Sequence, residues 1–188
     1  MTATTNLQEK KFHPKKFAMW IAIGAIIMMF GGLTSGYIVH QGQGDWEVFP
    51  LPTAFYYSTV AIVISSITLH AARINFKKRN LSAYRTLLLI TFILGLIFTW
   101  LQYLGFSNLA DHLKWNNNKA FQHLLVITLV HALHILGGVV ALFLITLNSY
   151  RKKVKENTDT TTIDITSTYW HFVDILWLYL LVFFLLNR

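Results

Sequence analysis

Five long apolar runs, roughly 17–39, 53–72, 86–106, 121–147 and 168–187, alternate with short polar segments along the chain. Each run holds about 20 or more residues, enough to cross ~30 Å of hydrocarbon at about 1.5 Å per residue. The first four contain no Asp, Glu, Lys or Arg, and the fifth contains only Asp174. The pattern predicts an all-α integral membrane bundle of five transmembrane helices. It forms a single domain over 17–188, preceded by a polar, basic tail at 1–16. The first run is longer than a signal-peptide core and lacks a small-residue cleavage site, so it reads as a retained helix.

The polar segments carry the orientation signal. Lys10, Lys11, Lys15 and Lys16 precede the first run; Arg73, Lys77, Lys78, Arg79 and Arg85 lie between the second and third. Arg151, Lys152, Lys153 and Lys155 lie between the fourth and fifth. The other side has only Lys114, Lys119 and Arg188. Basic residues favour the cytoplasmic side, which predicts a cytoplasmic N-terminus and an external C-terminus. An odd number of spans requires the ends to be on opposite sides, so count and charge agree.

Composition supports this reading. The 188 residues are 54% hydrophobic and 13% charged, against about 25% charged in a soluble domain. The net charge of +8 sits in clusters between apolar runs, which argues against nucleic acid as a partner. The absence of cysteine excludes disulfides, thiolate metal sites and covalent haem attachment.

Smaller features fill in the runs. Gly32 and Gly36 form a G-x-x-x-G pair that permits close helix approach. Pro50 and Pro52 precede the second helix, and Trp46 and Trp115 are expected as interfacial anchors. His70 reads as interfacial. Thr91, Gly95 and Thr99 share a narrow face of the third helix, and Gln102 reads as an amide near its outer end. The segment 151–167 reads as a solvated loop, with Thr166, Ser167 or Thr168 capping the last helix.

The ionisable groups inside the apolar runs are the candidate chemistry, because a carboxylate at membrane depth costs about 2.5–3.5 kcal/mol on insertion scales. His131 and His134 lie about 60° apart on one helical face. They admit three readings: metal or haem ligation, proton relay, or bonding to other helices. The metalloprotease spacing H-E-x-x-H is absent. His171 and Asp174 stand one turn apart, and Trp170, Asp174 and Trp177 share a face. That face should point into protein and the aliphatic one toward lipid or another subunit. Asp174 near His171 is expected to form a charge-assisted pair. No nucleophile–base–orienter set is present.

Tyr169-Trp170-His171-Phe172-Val173-Asp174, followed by Trp177, resembles the C-terminal signature of subunit III of haem–copper terminal oxidases. Met19-Trp20 with Phe30-Gly31-Gly32-Leu33 and Tyr37 resembles that family's first shared helix. Leu51-Pro52-Thr53 with Ser65-Ser66 resembles the next. Thr91, Leu94-Gly95, Phe98-Thr99 and Gln102 resemble the third, and His131-Ala132-Leu133-His134 the family's His-Gly-Leu-His segment. The likeness covers about 17–187 and is to the short, five-helix bacterial form. Two positions depart: Ile26 and Gly105 stand where the family carries glutamates, so the roles of those glutamates do not transfer.

The resemblance implies a subunit without redox centres in a bacterial cytoplasmic membrane complex that reduces oxygen to water with proton pumping. It implies haem and copper in subunits I and II, packing on subunit I, bound phospholipids, and support for proton uptake and turnover stability. Membership of a respiratory supercomplex is a further possible association. His131, His134, Tyr169, Trp170, His171, Asp174, Trp177 and Gln102 are then structural, lipid or proton-support residues. A quinol oxidase or a nitric-oxide-reductase-associated relative fits the same motif. A small proton or metal transporter fits less well, since internal repeats and broken helices are missing.

Overall fold

A computed structural model describes residues 14–43, 51–112, 119–151 and 160–187, except the side chains of 109–112. Five helices account for nearly all of them: α1 Pro14–Gln41, α2 Thr53–Lys77, α3 Leu81–His112, α4 Lys119–Arg151 and α5 Thr161–Leu186. All five are long and apolar enough to span a membrane. The chain is a multi-pass membrane protein.

Each helix outruns the apolar run that predicts it, because Ser, Thr, Asn and charged residues extend the turns beyond the hydrocarbon. The largest shift of a helix start is at α5, which begins at Thr161, so 161–167 is helix rather than solvated loop. Thr160 occupies the cap position without a side-chain bond, and Thr166, Ser167 and Thr168 lie inside the helix. Two observations explain the extra turns. The Asp164 carboxylate accepts from Arg73 Nε at 2.7 Å and Lys16 Nζ at 3.2 Å. Thr161, Ile163, Thr166 and Ser167 are buried. Trp46 and Trp115 lie outside the described residues.

The α2–α3 turn is tight. Lys78 N–H donates to Ile74 O and Asn80 N–H to Asn75 O. Arg79 takes the left-handed conformation, φ 61°, that often ends a helix. Asn80 Oδ1 then accepts from Ala83 N–H at the start of α3.

α2, α3, α4 and α5 close a ring: α2 packs on α3, α3 on α4, α4 on α5 and α5 on α2. α1 lies outside, packed against α4 and α5, and its N-terminal end approaches α2 across a recess at Lys16 and Arg73. The core runs down the ring, around Phe55, Ile62, Leu69, Leu88, Phe98, Leu124, Trp170 and Trp177. Large apolar side chains such as Trp20, Met28, Leu133 and Ile175 are exposed on the outside, as a lipid- or partner-facing surface requires. Among the described residues a Cβ on Gly24, Gly31, Gly32 or Gly36 would meet nothing within 4 Å, so the G-x-x-x-G pair makes no close approach to them.

Candidate functional site: the polar and aromatic interior around the fifth helix

α5 supplies two indoles to the ring's interior, and both are fully buried. A buried indole N–H needs an acceptor, and α2 provides one for each. Trp170 Nε1 donates to Ser65 Oγ at 3.1 Å, and Trp177 Nε1 to Thr59 Oγ1 at 3.0 Å. The Trp170 ring lies between two glycines: a Cβ on Gly95 of α3 or on Gly138 of α4 would stand 2.9 Å from it. The small face of the third helix is therefore the seat of an indole.

Hydroxyls and amides extend this network across α2 and α3. Ser65 Oγ donates to Thr91 O at 3.4 Å, and Thr68 and Thr91 share a bond of 2.9 Å between their hydroxyls. Gln102 is buried, and its Nε2 donates to Ser58 Oγ at 2.9 Å. It is an interior cross-link between α3 and α2, not an interface amide.

His131 and His134 diverge. His131 is buried, stacked on Trp177 at 5.5 Å between centroids and edge-on to Phe30 at 6.2 Å. Neither of its ring nitrogens has a hydrogen-bond partner among the described residues. His134 is half-buried, with Nδ1 bonded to Val130 O at 2.7 Å. Its own carbonyl accepts from the Tyr169 hydroxyl at 3.0 Å, which ties α5 to α4. Among the described residues no group of three or more His, Asp or Glu gathers to hold a metal.

His171 and Asp174 do not form the expected direct pair. His171, half-buried, bonds Ser66 Oγ through Nδ1, and its ring lies 6.2 Å from that of the exposed His70. Asp174 is buried, and both carboxyl oxygens lack a close hydrogen-bond partner among the described residues. Ser66 is the hydroxyl that faces it. The neighbour explains the imidazole: the Ser66 hydroxyl of α2 bonds His171, while the Asp174 oxygens make no close hydrogen bond among the described residues. The cluster reads His70, His171, Ser66, Asp174, from the exposed surface inward. Which neighbour Ser66 and Thr59 face is not legible in the sequence, because hydroxyls on an apolar helix give no sign of it.

A second polar cluster lies where the N-terminal ends of α1 and α5 meet the C-terminal end of α2. Lys16, Met19, Trp20, Arg73, Asp164, Ile165 and Thr168 line an open recess of about 110 Å³. Its two cations share one carboxylate, leaving one positive charge in excess. The two departures from the oxidase pattern are filled with apolar groups. Ile26 packs against the core, and a Cβ on Gly105 would stand 2.6 Å from the Phe55 ring, so no side chain fits at 105.

The profile of the family described as cytochrome c oxidase subunit III matches residues 44–187. The chain belongs to that family. It is 28% identical over 170 residues to a probable cytochrome c oxidase subunit 3 of Mycobacterium tuberculosis, covering 84% of this chain and 83% of that one. It is 24% identical over 190 residues to a probable quinol oxidase subunit 3 of Staphylococcus aureus, covering 96% and 94%. The signature Tyr169–Trp177 of this subunit III thus supplies the ring's interior: two indoles, a tyrosine tie, and the His171–Asp174 cluster.

Proposed function

We propose that the chain is the subunit III, without redox centres, of an aerobic respiratory terminal oxidase that reduces oxygen to water with proton pumping. Cytochrome c is the electron donor in this reading, and the complex sits in a bacterial cytoplasmic membrane. Haem and copper belong to subunits I and II. The chain packs on subunit I, binds phospholipid, and supports proton uptake and durability during turnover.

The observation that carries the reading is the use of the family signature. Its aromatic and polar residues are spent on holding α5 to α2, α3 and α4, which is a structural and supporting role. The lack of cysteine also leaves no thiolate ligands for a copper site of the electron-entry kind. Phospholipid binding is supported by the recess at Lys16, Arg73 and Asp164, where the excess positive charge suits a phosphate and the flanking Trp20 suits an interfacial level. Proton support is favoured by the inward series from His70 to Asp174, since ionisable groups at this depth mark proton routes.

Purification of the chain with its native partners tests the whole reading. A haem spectrum, co-migrating subunits I and II, and oxygen consumption with reduced cytochrome c are expected. Oxygen consumption with quinol alone would transfer the reading to a quinol oxidase. For lipid, native mass spectrometry of the complex should show less retained anionic phospholipid in Arg73→Gln and more in Asp164→Asn. Equal retention in both variants would remove lipid from the recess.

A further inference from the structure

An exposed imidazole stands within the apolar run of α2. Among the described residues, His70 is the one exposed Asp, Glu, Lys, Arg or His inside the five runs. The half-buried His171 of α5 lies beside it, with ring centroids 6.2 Å apart. We propose that the face of α2 and α5 around His70 is where this chain docks on subunit I, against a transmembrane helix that presents a hydrogen-bond acceptor to that imidazole. The inference rests on the packing on subunit I proposed above and assigns it a surface.

His70 is set inward of the basic end. Asp164 and Arg73 are bonded and so share a level. By helix rise His171 stands about 10 Å inward of Asp164, and His70 about 4.5 Å inward of Arg73. The rings meet because side chains lean toward the N-terminus of their own helix. In α2 that direction is inward, away from the basic end; in α5 it is toward that end. The His70 ring therefore points into the apolar zone. Its short stem cannot carry it back to water as a lysine's does. Around it Val63, Ile67 and Ile74 of α2 are exposed, as is Ile175, one turn beyond His171.

The chemistry of this face selects the occupant. Acyl chains offer an imidazole no acceptor, and ionisable side chains in spanning segments face protein or a water-filled cavity. The outer faces of α3 and α4 differ: Ile93, Trp100, Leu133 and Val140 are exposed there, and among the described residues their apolar runs expose no charged side chain and no histidine. A second copy of this chain fits poorly. Two copies related by an axis along the membrane normal would set His70 against His70. The surplus positive charge at Lys16 and Arg73 would also approach its own image. A helix with a carboxylate, hydroxyl or carbonyl acceptor complements the imidazole donor.

The test uses the native membrane-bound oxidase with a photo-cross-linking benzoylphenylalanine in place of one residue. At Ile67 or Ile175 it should form an adduct with subunit I, identified by peptide mass spectrometry, in at least tenfold higher yield than at Ile93 of α3. Adducts at Ile67 and Ile175 with lipid alone or with a second copy, or an equal yield of subunit I adduct at Ile93, would overturn the assignment. A complex that lacks subunit I altogether would overturn the proposed function along with it. Substitution gives a second measure. His70→Leu suits lipid better than histidine does, so a lipid-facing position predicts an equal or higher temperature for departure of subunit III from the complex. Docking predicts a lower one, with His70→Gln, which keeps a donor, closer to wild type. A rise or no change for His70→Leu would defeat the proposal. An equal loss in the isolated chain in detergent would place the effect within subunit III and count against docking.

Discussion

Ser66 shows how one residue redirects a site. The spacing of His171 and Asp174 suggests a bonded pair, yet the hydroxyl from α2 takes the imidazole and faces the carboxyl. Removing one partner of a buried polar bond costs about 1–3 kcal/mol. His171→Ala should therefore lower the temperature at which subunit III dissociates from the oxidase and hasten activity loss during turnover. Its haem spectrum and initial rate should stay close to wild type, because the proposed redox centres lie in other subunits. A variant that keeps its subunit and its stability but loses haem reduction would defeat the structural role. The residue scale is also where sequence reading was weakest. Trp170, Asp174 and Trp177 were legible as the inward face because helical periodicity orders residues on their own helix. Ser65, Ser66 and Thr59 were not, because periodicity is silent about the helix opposite.

Two glycines out of the ten in the chain set how closely α5 can approach α3 and α4. Gly95 and Gly138 clasp the Trp170 ring from both sides, so neither contact can relax without disturbing the other. Overpacking of a fixed core costs about 1–3 kcal/mol. Gly95→Ala and Gly138→Ala should each destabilise the purified chain in detergent by that order, read by thermal unfolding. Gly32→Ala, whose new methyl meets nothing among the described residues, should unfold with wild type. If Gly32→Ala were as damaging as Gly138→Ala in the isolated chain, the packing of α1 described here would be wrong. The five elements themselves were legible, since about 20 uncharged apolar residues admit few alternatives in a membrane. Their ends were not. The first turns of α5 look like a loop until Lys16 and Arg73 arrive from other helices to neutralise Asp164. The G-x-x-x-G of α1 looked like an internal contact because composition does not say whether a small face meets this chain or another surface.

The whole molecule has one basic end. Lys16 of α1, Arg73 and Lys77 of α2, Arg79 in the α2–α3 turn, Arg85 of α3 and Arg151 of α4 all lie toward it, as alternating helix directions require. Basic residues near helix ends are retained on the cytoplasmic side, so this end, with the α1 N-terminus, should face the cytoplasm. The ion pairs of Asp164 with Lys16 and Arg73 strengthen the argument, because they bind charges from the first, second and fifth helices at a single level. A helix inverted in the membrane would carry one of these groups to the far side and break the cluster. Tags on intact cells decide the matter. An N-terminal tag should be shielded from external protease and labelling reagents, and a C-terminal tag should be accessible. The reverse pattern would invert the molecule and place the Lys16–Arg73–Asp164 recess on the outside. A pattern with both tags on one side would mean that one of the five helices does not cross, most simply α1, which among the described residues packs only on α4 and α5.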